Sequence, residues 1–434
     1  MKRFISFLLI FTFGWFSSSA QLEKRWIKHH IALLAGRNME GRGYVGDGRR
    51  AAEKYIIHRF KDYGLVPVTA DSSFTQDYYF DVNTFPGEME LKINKKTLVP
   101  GEDYLVDAAS ASLKKRRLKI KVVDCLQWLD TTEYKTAFFD PDYKWSRKKA
   151  YHLKNVDSFC KRTDEHPWHF TTKLGKGCFI IPEHGKMFWT VATEQMPATV
   201  FYVEDTVLPK KIKKVGVDVK AVFLDGFENR NKNIIACVPG LIKDSFIVFT
   251  AHYDHLGMMG SETCFPGASD NASGIAMLLY LADYFAKHPQ HYTMVFIAFS
   301  GEEAGLLGSQ YFVEHPLIPL ENIKFLTNID IMGDATDGVT VVNATEFPEQ
   351  FALLQKINKD NNYLPQIKSR GKAANSDHYF FTQAGVPSFF IYSNGGPGYY
   401  HDVFDNVRSL PMTNIDRAAH LFTDFAQALN SLNP

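Results

Sequence analysis

Six consecutive apolar residues, Met294 to Phe299, run into Ser300-Gly301 and then into two adjacent glutamates, Glu302 and Glu303. An unbroken apolar run of that length reads as a strand buried on both faces, as in a parallel sheet. Ligands of such sheets bind at the carboxyl ends of the strands. Two carboxylates placed there repel each other and resist burial unless positive charge lies close by. The flanking chain has the same texture. "NIIACVPG" and "SFIVFTAHYDHLG" read as strands, and "NASGIAMLLYLADYFAKHP" reads as a helix with Ile275, Leu278, Leu279, Ala282 and Phe285 on one face. A helix is expected at about 303–315, followed by strands at "IKFLTNIDIMG", "VTVVNA" and "PSFFIYS" and a closing helix at "TNIDRAAHLFTDFAQAL". This alternation predicts an α/β region over 226–434, a mostly parallel mixed sheet sandwiched by helices.

Upstream the pattern is different. Residues 21 to about 66 carry apolar residues at helical spacing, with Gly64 and Pro67 ending the second helix. Residues 21–80 are therefore expected to add helices to that α/β region. Over 81–225, short alternating runs such as "MELKI", "LKIKVVDCL", "GCFIIPE" and "ATVFYVED" predict an inserted, mainly β domain. A chain of 434 residues, 45% of them hydrophobic, has room for two or three domains.

Residues 1–20 read as a leader. Lys2 and Arg3 precede an apolar run from Phe4 to Phe16, and Ser18-Ser19-Ala20 offers a small-residue cleavage site before Gln21. The run is short of the ~20 residues a spanning helix needs, so export to the periplasm or medium is expected, with no membrane anchor after cleavage. Two of the 49 Lys and Arg fall in this leader, leaving 47 against 48 Asp and Glu. A balance so near neutrality gives no reason to expect nucleic acid or anionic membrane as a partner. The basic run "KKRRLKIK" at 114–121 reads as a solvated strand or loop edge. Five scattered cysteines are too few for a disulfide scaffold and lack metal-site spacing. Cys160–Cys178 is the one pairing considered.

Metal-ligating residue types recur at strand ends. "TAHYDH" brings His252, Asp254 and His255, "GASDNASG" brings Asp270 to the mouth of a helix, and "SGEE" brings Glu302 and Glu303. "TNIDIMG" brings Asp330, and "GYYHDVFDN" brings His401. Singly, each has an ordinary reading as a cap or a solvated side chain. Imidazoles and several carboxylates in one cleft suit zinc, and more than one positive charge.

Taken together, "AHYDHLG", "DNASG", "SGEEAGLLGS", "NIDIMG", "SDHYFF" and "YYHDVFDN" resemble the di-zinc aminopeptidase family of bacterial leucyl aminopeptidases. That family also includes glutamate carboxypeptidases, glutaminyl cyclases and the catalytically inactive transferrin receptors. The resemblance covers about 233–434, with a weaker echo at "LAGRNMEGRGYVGDGRRAAEKYI". Some members carry a protease-associated domain where this chain has its insert.

The resemblance implies two zinc ions bridged by Asp270, one completed by His252 and Asp330 and the other by Glu303 and His401. A cis peptide commonly follows the bridging aspartate in the family. Glu302 would be the general base, and Asp254 the carboxylate that accepts the second N–H of His252. Tyr400 is the candidate oxyanion helper. Asp377 and His378 would organise the cleft, His255 is as readily structural as functional, and four other histidines (His29, His30, His166, His169) are expected on the surface. The implied substrate is a peptide with a free N-terminus. A glutaminyl cyclase would depart from "DNASG", which this chain keeps, and a receptor module would have lost ligands. A dipeptidase or carboxypeptidase would need basic residues for the substrate carboxylate.

Overall fold

The computed structural model describes residues 21–68, 72–129, 145–146, 148–226 and 229–431. The leader expected at 1–20 lies outside them. The apolar run Met294 to Phe299 lies within the strand Tyr292–Phe299, every residue of which is buried. Met294, Phe296 and Ala298 face one apolar layer, while Val295, Ile297 and Phe299 face another. Burial on both faces explains why the run is unbroken rather than alternating.

Eight strands form this sheet, in the order Thr75–Tyr79, Arg230–Val238, Tyr292–Phe299, Ile242–His252, Ile323–Ile329, Ser388–Ser393, Val339–Val342, Ile367–Ser369. The strands Tyr292–Phe299, Ile242–His252, Ile323–Ile329 and Ser388–Ser393 run parallel, and antiparallel neighbours flank them. On one face lie the helix over 21–34 and the helices Gly48–Asp62, Gly274–Lys287 and Ile415–Ser431, which contribute Ile31, Phe60, Leu278 and Phe422 to the larger core. The other face is covered by Leu307–Glu314 and His378–Gln383 through Phe312 and Phe381. The fold is α/β, a mixed sheet between helical layers.

Two elements of this region differ from expectation. The helix expected from about 303 begins at Leu307, because residues 301–306 form a turn in which Gly305 and Leu306 take left-handed φ of 107° and 63°. Thr75–Tyr79 is an edge strand where only helix was anticipated. Its inward Gln76 hides the period-two pattern, and that amide is satisfied by Asn233 and by the His315 carbonyl.

Residues between the first and second strands of the main sheet build a second eight-stranded sheet, ordered Lys96–Thr97, Met89–Ile93, Lys214–Val219, Leu113–Asp124, Lys149–Lys154, Cys178–Glu183, Thr199–Glu204, Tyr104–Val106. Where the chain leaves and returns, Val82–Thr84 pairs antiparallel with Val222–Leu224. Apolar clusters cover both faces. They also separate Cys160 from Cys178. Cys178 points into one cluster and Cys160 lies in the other, so both thiols are free and the considered disulfide does not form.

His30 is likewise not on the surface. It is buried beside Trp26, bonded to the Tyr55 hydroxyl, and burial pulls its pKa down to about 4. His29, His166 and His169 are exposed, as are Lys114, Lys115, Arg117 and Lys119 of the basic run.

Candidate metal centre

The parallel strands deliver their polar ends to one edge of the sheet. His252 is the last residue of Ile242–His252, and Asp330 follows Ile323–Ile329 directly. Ser300 and Gly301 carry the chain from Tyr292–Phe299 into Glu302 and Glu303. Gly301 has φ +72°, and a Cβ there would meet the Tyr78 hydroxyl at 2.7 Å, so the turn that presents both glutamates requires glycine. Asp270 precedes the helix Gly274–Lys287, and its peptide bond to Asn271 is cis. His401 comes from the loop after Ser388–Ser393.

These side chains converge. The two oxygens of Asp270 face different imidazoles, His252 Nε2 at 3.4 Å from Oδ1 and His401 Nε2 at 3.2 Å from Oδ2. Asp330 Oδ1 lies 3.2 Å from the same His252 nitrogen, and Glu303 Oε2 lies 3.0 Å from that of His401. Glu302 stands further off, with Oε2 4.0 Å from His252 Nε2.

Four carboxylates in a buried space set each other's protonation. Burial, then Glu303 and Asp330 against the opposing pull of His252, hold Glu302 well above the usual carboxylate range. Glu303 is driven the other way, to about 2, because His401 and His255 outweigh its burial. Asp270 is held low against burial by its bonds to His252 and His401. Burial opposes charge on both imidazoles as well, yet the carboxylates carry His252 well above its ordinary value and His401 to about 11. A buried donor set of imidazole nitrogens and carboxylate oxygens with this excess of negative charge fits divalent cations. Ligand atoms of His252, Asp270 and Asp330 lie within 4.8 Å of one another, as do those of His255, Asp270 and Glu303.

Neighbouring groups fix these side chains. Ser376 Oγ donates to Asp330 Oδ2 at 3.0 Å and itself accepts from Asn328, which accepts from Thr250. His255, fully buried, bonds Glu303 Oε1 at 2.6 Å and leaves Oε2 to His401. Asp405 accepts the backbone N–H groups of Ser269 and Asp270 at 2.8 and 3.0 Å. Arg42, fully buried, donates to the carbonyls of Leu34, Tyr253, Pro266, Gly267 and Asp270. It thereby ties the N-terminal segment to the loop that carries Asp270.

Asp254 plays a different part from the one expected. His252 Nδ1 bonds the Asp254 backbone carbonyl at 3.1 Å, whereas the carboxylate lies 3.8 Å away. That carboxylate accepts from the Tyr44 hydroxyl at 2.8 Å and from the Glu302 N–H at 3.3 Å, so it orients Glu302. Tyr400 is exposed and stacks on the His401 ring, with centroids 3.9 Å apart. Asp377 and His378 are buried, with burial pushing Asp377 up to about 7. The contact from their segment to the cluster is made by Ser376. Arg42, Tyr44 and Asp405 had no signal of their own in the sequence beyond lying inside or beside the quoted motifs.

Residues 233–426 match the model of Peptidase family M28. This segment belongs to peptidase family M28. It is similar to aminopeptidase YwaD of Bacillus subtilis, 31% identical over 219 residues that cover 46% of this chain and 45% of that protein. A probable zinc metalloprotease of Pyrenophora tritici-repentis is 37% identical over 107 residues, 24% of this chain and 22% of that protein. The chain thus spans less than half the length of these curated relatives.

Across the M28 fold the likeness extends further. The structure of BSAP, a zinc aminopeptidase from Bacillus subtilis, superposes with a TM-score of 0.67 at 18% identity, covering 93% of this chain and 94% of that one. A peptidase M28 precursor from Shewanella amazonensis gives 0.66 at 14% identity, over 96% and 97% of the two chains.

Proposed function

We propose that this chain is an exported aminopeptidase that holds two zinc ions and removes N-terminal residues from peptides. One observation carries the reading: the two oxygens of Asp270 address different imidazoles, each of which also faces its own second carboxylate. His252, Asp330 and Asp270 Oδ1 would hold one ion, and His401, Glu303 and Asp270 Oδ2 the other. Bound zinc supplies a Lewis acid for the scissile carbonyl and lowers the pKa of water. Glu302, set back from both clusters, takes a proton from water and returns it to the leaving amine. The Asp254 carboxylate holds the Glu302 backbone in place for that exchange. Tyr400, at the rim, donates its hydroxyl to the oxyanion that develops on the substrate. The naming of a Bacillus relative as an aminopeptidase supports this choice within the family.

The substrate's free α-amine is a cation, and four carboxylates against two dications leave no net positive charge in the cleft to repel it. Free aminoacyl-nitroanilides and short peptides should therefore be hydrolysed from their N-termini, with N-acetylated versions nearly inert. Release of C-terminal residues first would move the chain to the carboxypeptidase reading. Conversion of N-terminal glutamine to pyroglutamate without peptide hydrolysis would move it to the cyclase. Among the described residues no helix is long and apolar enough to cross a membrane. Export predicts a mature chain beginning at Gln21, and N-terminal sequencing that finds Met1 on the secreted or periplasmic protein would refute it.

A further inference from the structure

From the second sheet a short segment, Lys186 to Trp189, between the strands Cys178–Glu183 and Thr199–Glu204, reaches the loop that carries His401. It grips that loop at three points. His401 Nδ1 bonds the Trp189 carbonyl oxygen at 3.0 Å, and the Trp189 N–H donates to the His401 carbonyl at 3.1 Å. Lys186 Nζ donates to the Gly398 carbonyl at 2.7 Å and pairs with Asp402 Oδ2 at 3.0 Å. Asp402 in turn accepts the N–H of Asp405, the residue whose carboxylate holds the Ser269 and Asp270 amides.

Two physical consequences follow for His401. Its φ is +54°, a left-handed conformation that a non-glycine residue keeps only when its surroundings enforce it. The paired bonds with Trp189 are that enforcement. A carbonyl can only accept, so Nδ1 must carry the proton in the neutral ring, which leaves the Nε2 lone pair facing Asp270 and Glu303. The carbonyl thus selects the tautomer that can ligate a metal.

Trp189 is itself firmly set. Its indole N–H donates to the Val106 carbonyl at 2.8 Å, and its ring stacks on Phe265 at 4.7 Å between centroids. Phe265 lies just upstream of the Gly267–Asp270 loop. The indole is wedged between the second sheet and the strand that leads to Asp270.

We propose that Trp189 is a positioning residue for the His401 metal site, so that the second sheet completes the metal centre rather than merely covering it. This rests on the two-zinc reading above. The test is zinc affinity by chelator competition on the full mature chain, with His401→Ala and Asp330→Ala used to assign the two binding steps. Trp189→Ala removes the stack and the indole anchor. It should weaken the His401 step by about 10–100-fold, the usual cost of losing an outer partner of a ligating histidine. The Asp330 step should change much less, and Trp189→Phe, which keeps the stack, should restore most of the loss.

A general loss of packing would weaken both steps alike, and that outcome, or no change in either, would overturn the proposal. Should Trp189→Ala fail to fold, Lys186→Met loosens the same segment from the surface. It should weaken the His401 step by about two- to five-fold, the scale of a partly exposed ion pair, and Lys186→Arg should rescue it. Equal zinc affinities for Lys186→Met and the unaltered chain would then count against the proposal. An unaltered chain that takes up fewer than two zinc ions would instead refute the reading beneath it.

Discussion

Glu302→Gln is expected to leave zinc content and melting temperature unchanged while lowering kcat by ~10²–10⁴-fold, the scale of a lost general base. The geometry separates Glu302 from its neighbour. Its nearest imidazole nitrogen is 4.0 Å away, whereas Glu303 has two within 2.6 and 3.0 Å. Glu303 is engaged on both oxygens, by His255 and by His401. Exchanging the Glu302 carboxylate for an amide keeps the shape of the side chain and loses its basicity, so position survives and proton transfer does not. Glu303→Gln should lower zinc content as well, because one of its oxygens is replaced by an amide nitrogen that cannot ligate. Metal analysis beside steady-state kinetics on both variants decides the roles. Zinc lost from Glu302→Gln and kept by Glu303→Gln would reverse them, and the shared reach of His252, Glu302 and Glu303 makes that a real alternative.

Three of the proposed ligands are legible in the sequence because each lies at or just past the end of a strand whose pattern is itself legible. Strands buried on both faces write themselves as apolar runs, and the polar residue that stops the run marks the sheet edge where ligands bind. His252, Glu303 and Asp330 follow this rule. What holds them in place does not. Arg42 spends its donors on carbonyls as far as 228 residues away, and no periodicity records a bond to a main-chain oxygen. The same holds for Trp189, which meets His401 across 212 residues through its backbone. Asp254 shows a subtler failure. Its spacing from His252 fitted a carboxylate–imidazole bond, but at two residues' separation the backbone carbonyl reaches the ring first and frees the carboxylate for Tyr44 and Glu302. His30 reads as a surface residue because a helix's polar side chain gives no sign in sequence of a partner lying opposite, here Tyr55.

Asp270→Ala should strip both metals rather than one. Each imidazole keeps a single carboxylate partner once Asp270 is gone, Asp330 for His252 and Glu303 for His401. Two protein ligands fall short of the three that a catalytic zinc site uses. The residual sites would also lose the one group that places them side by side, since both oxygens of Asp270 are committed in opposite directions. Activity should fall below detection. The measurement that separates this from misfolding is the effect of zinc on the melting temperature. A ligand that binds only the folded chain stabilises it by RT ln(1 + [L]/Kd), so added zinc should raise the melting temperature of the metal-free parent and leave that of metal-free Asp270→Ala nearly unmoved. Loss of one zinc with retention of the other would make Asp270 a ligand to a single ion. Retention of both would remove it as the bridge and leave His255, already within reach of Glu303 and Asp270, as the histidine to examine next.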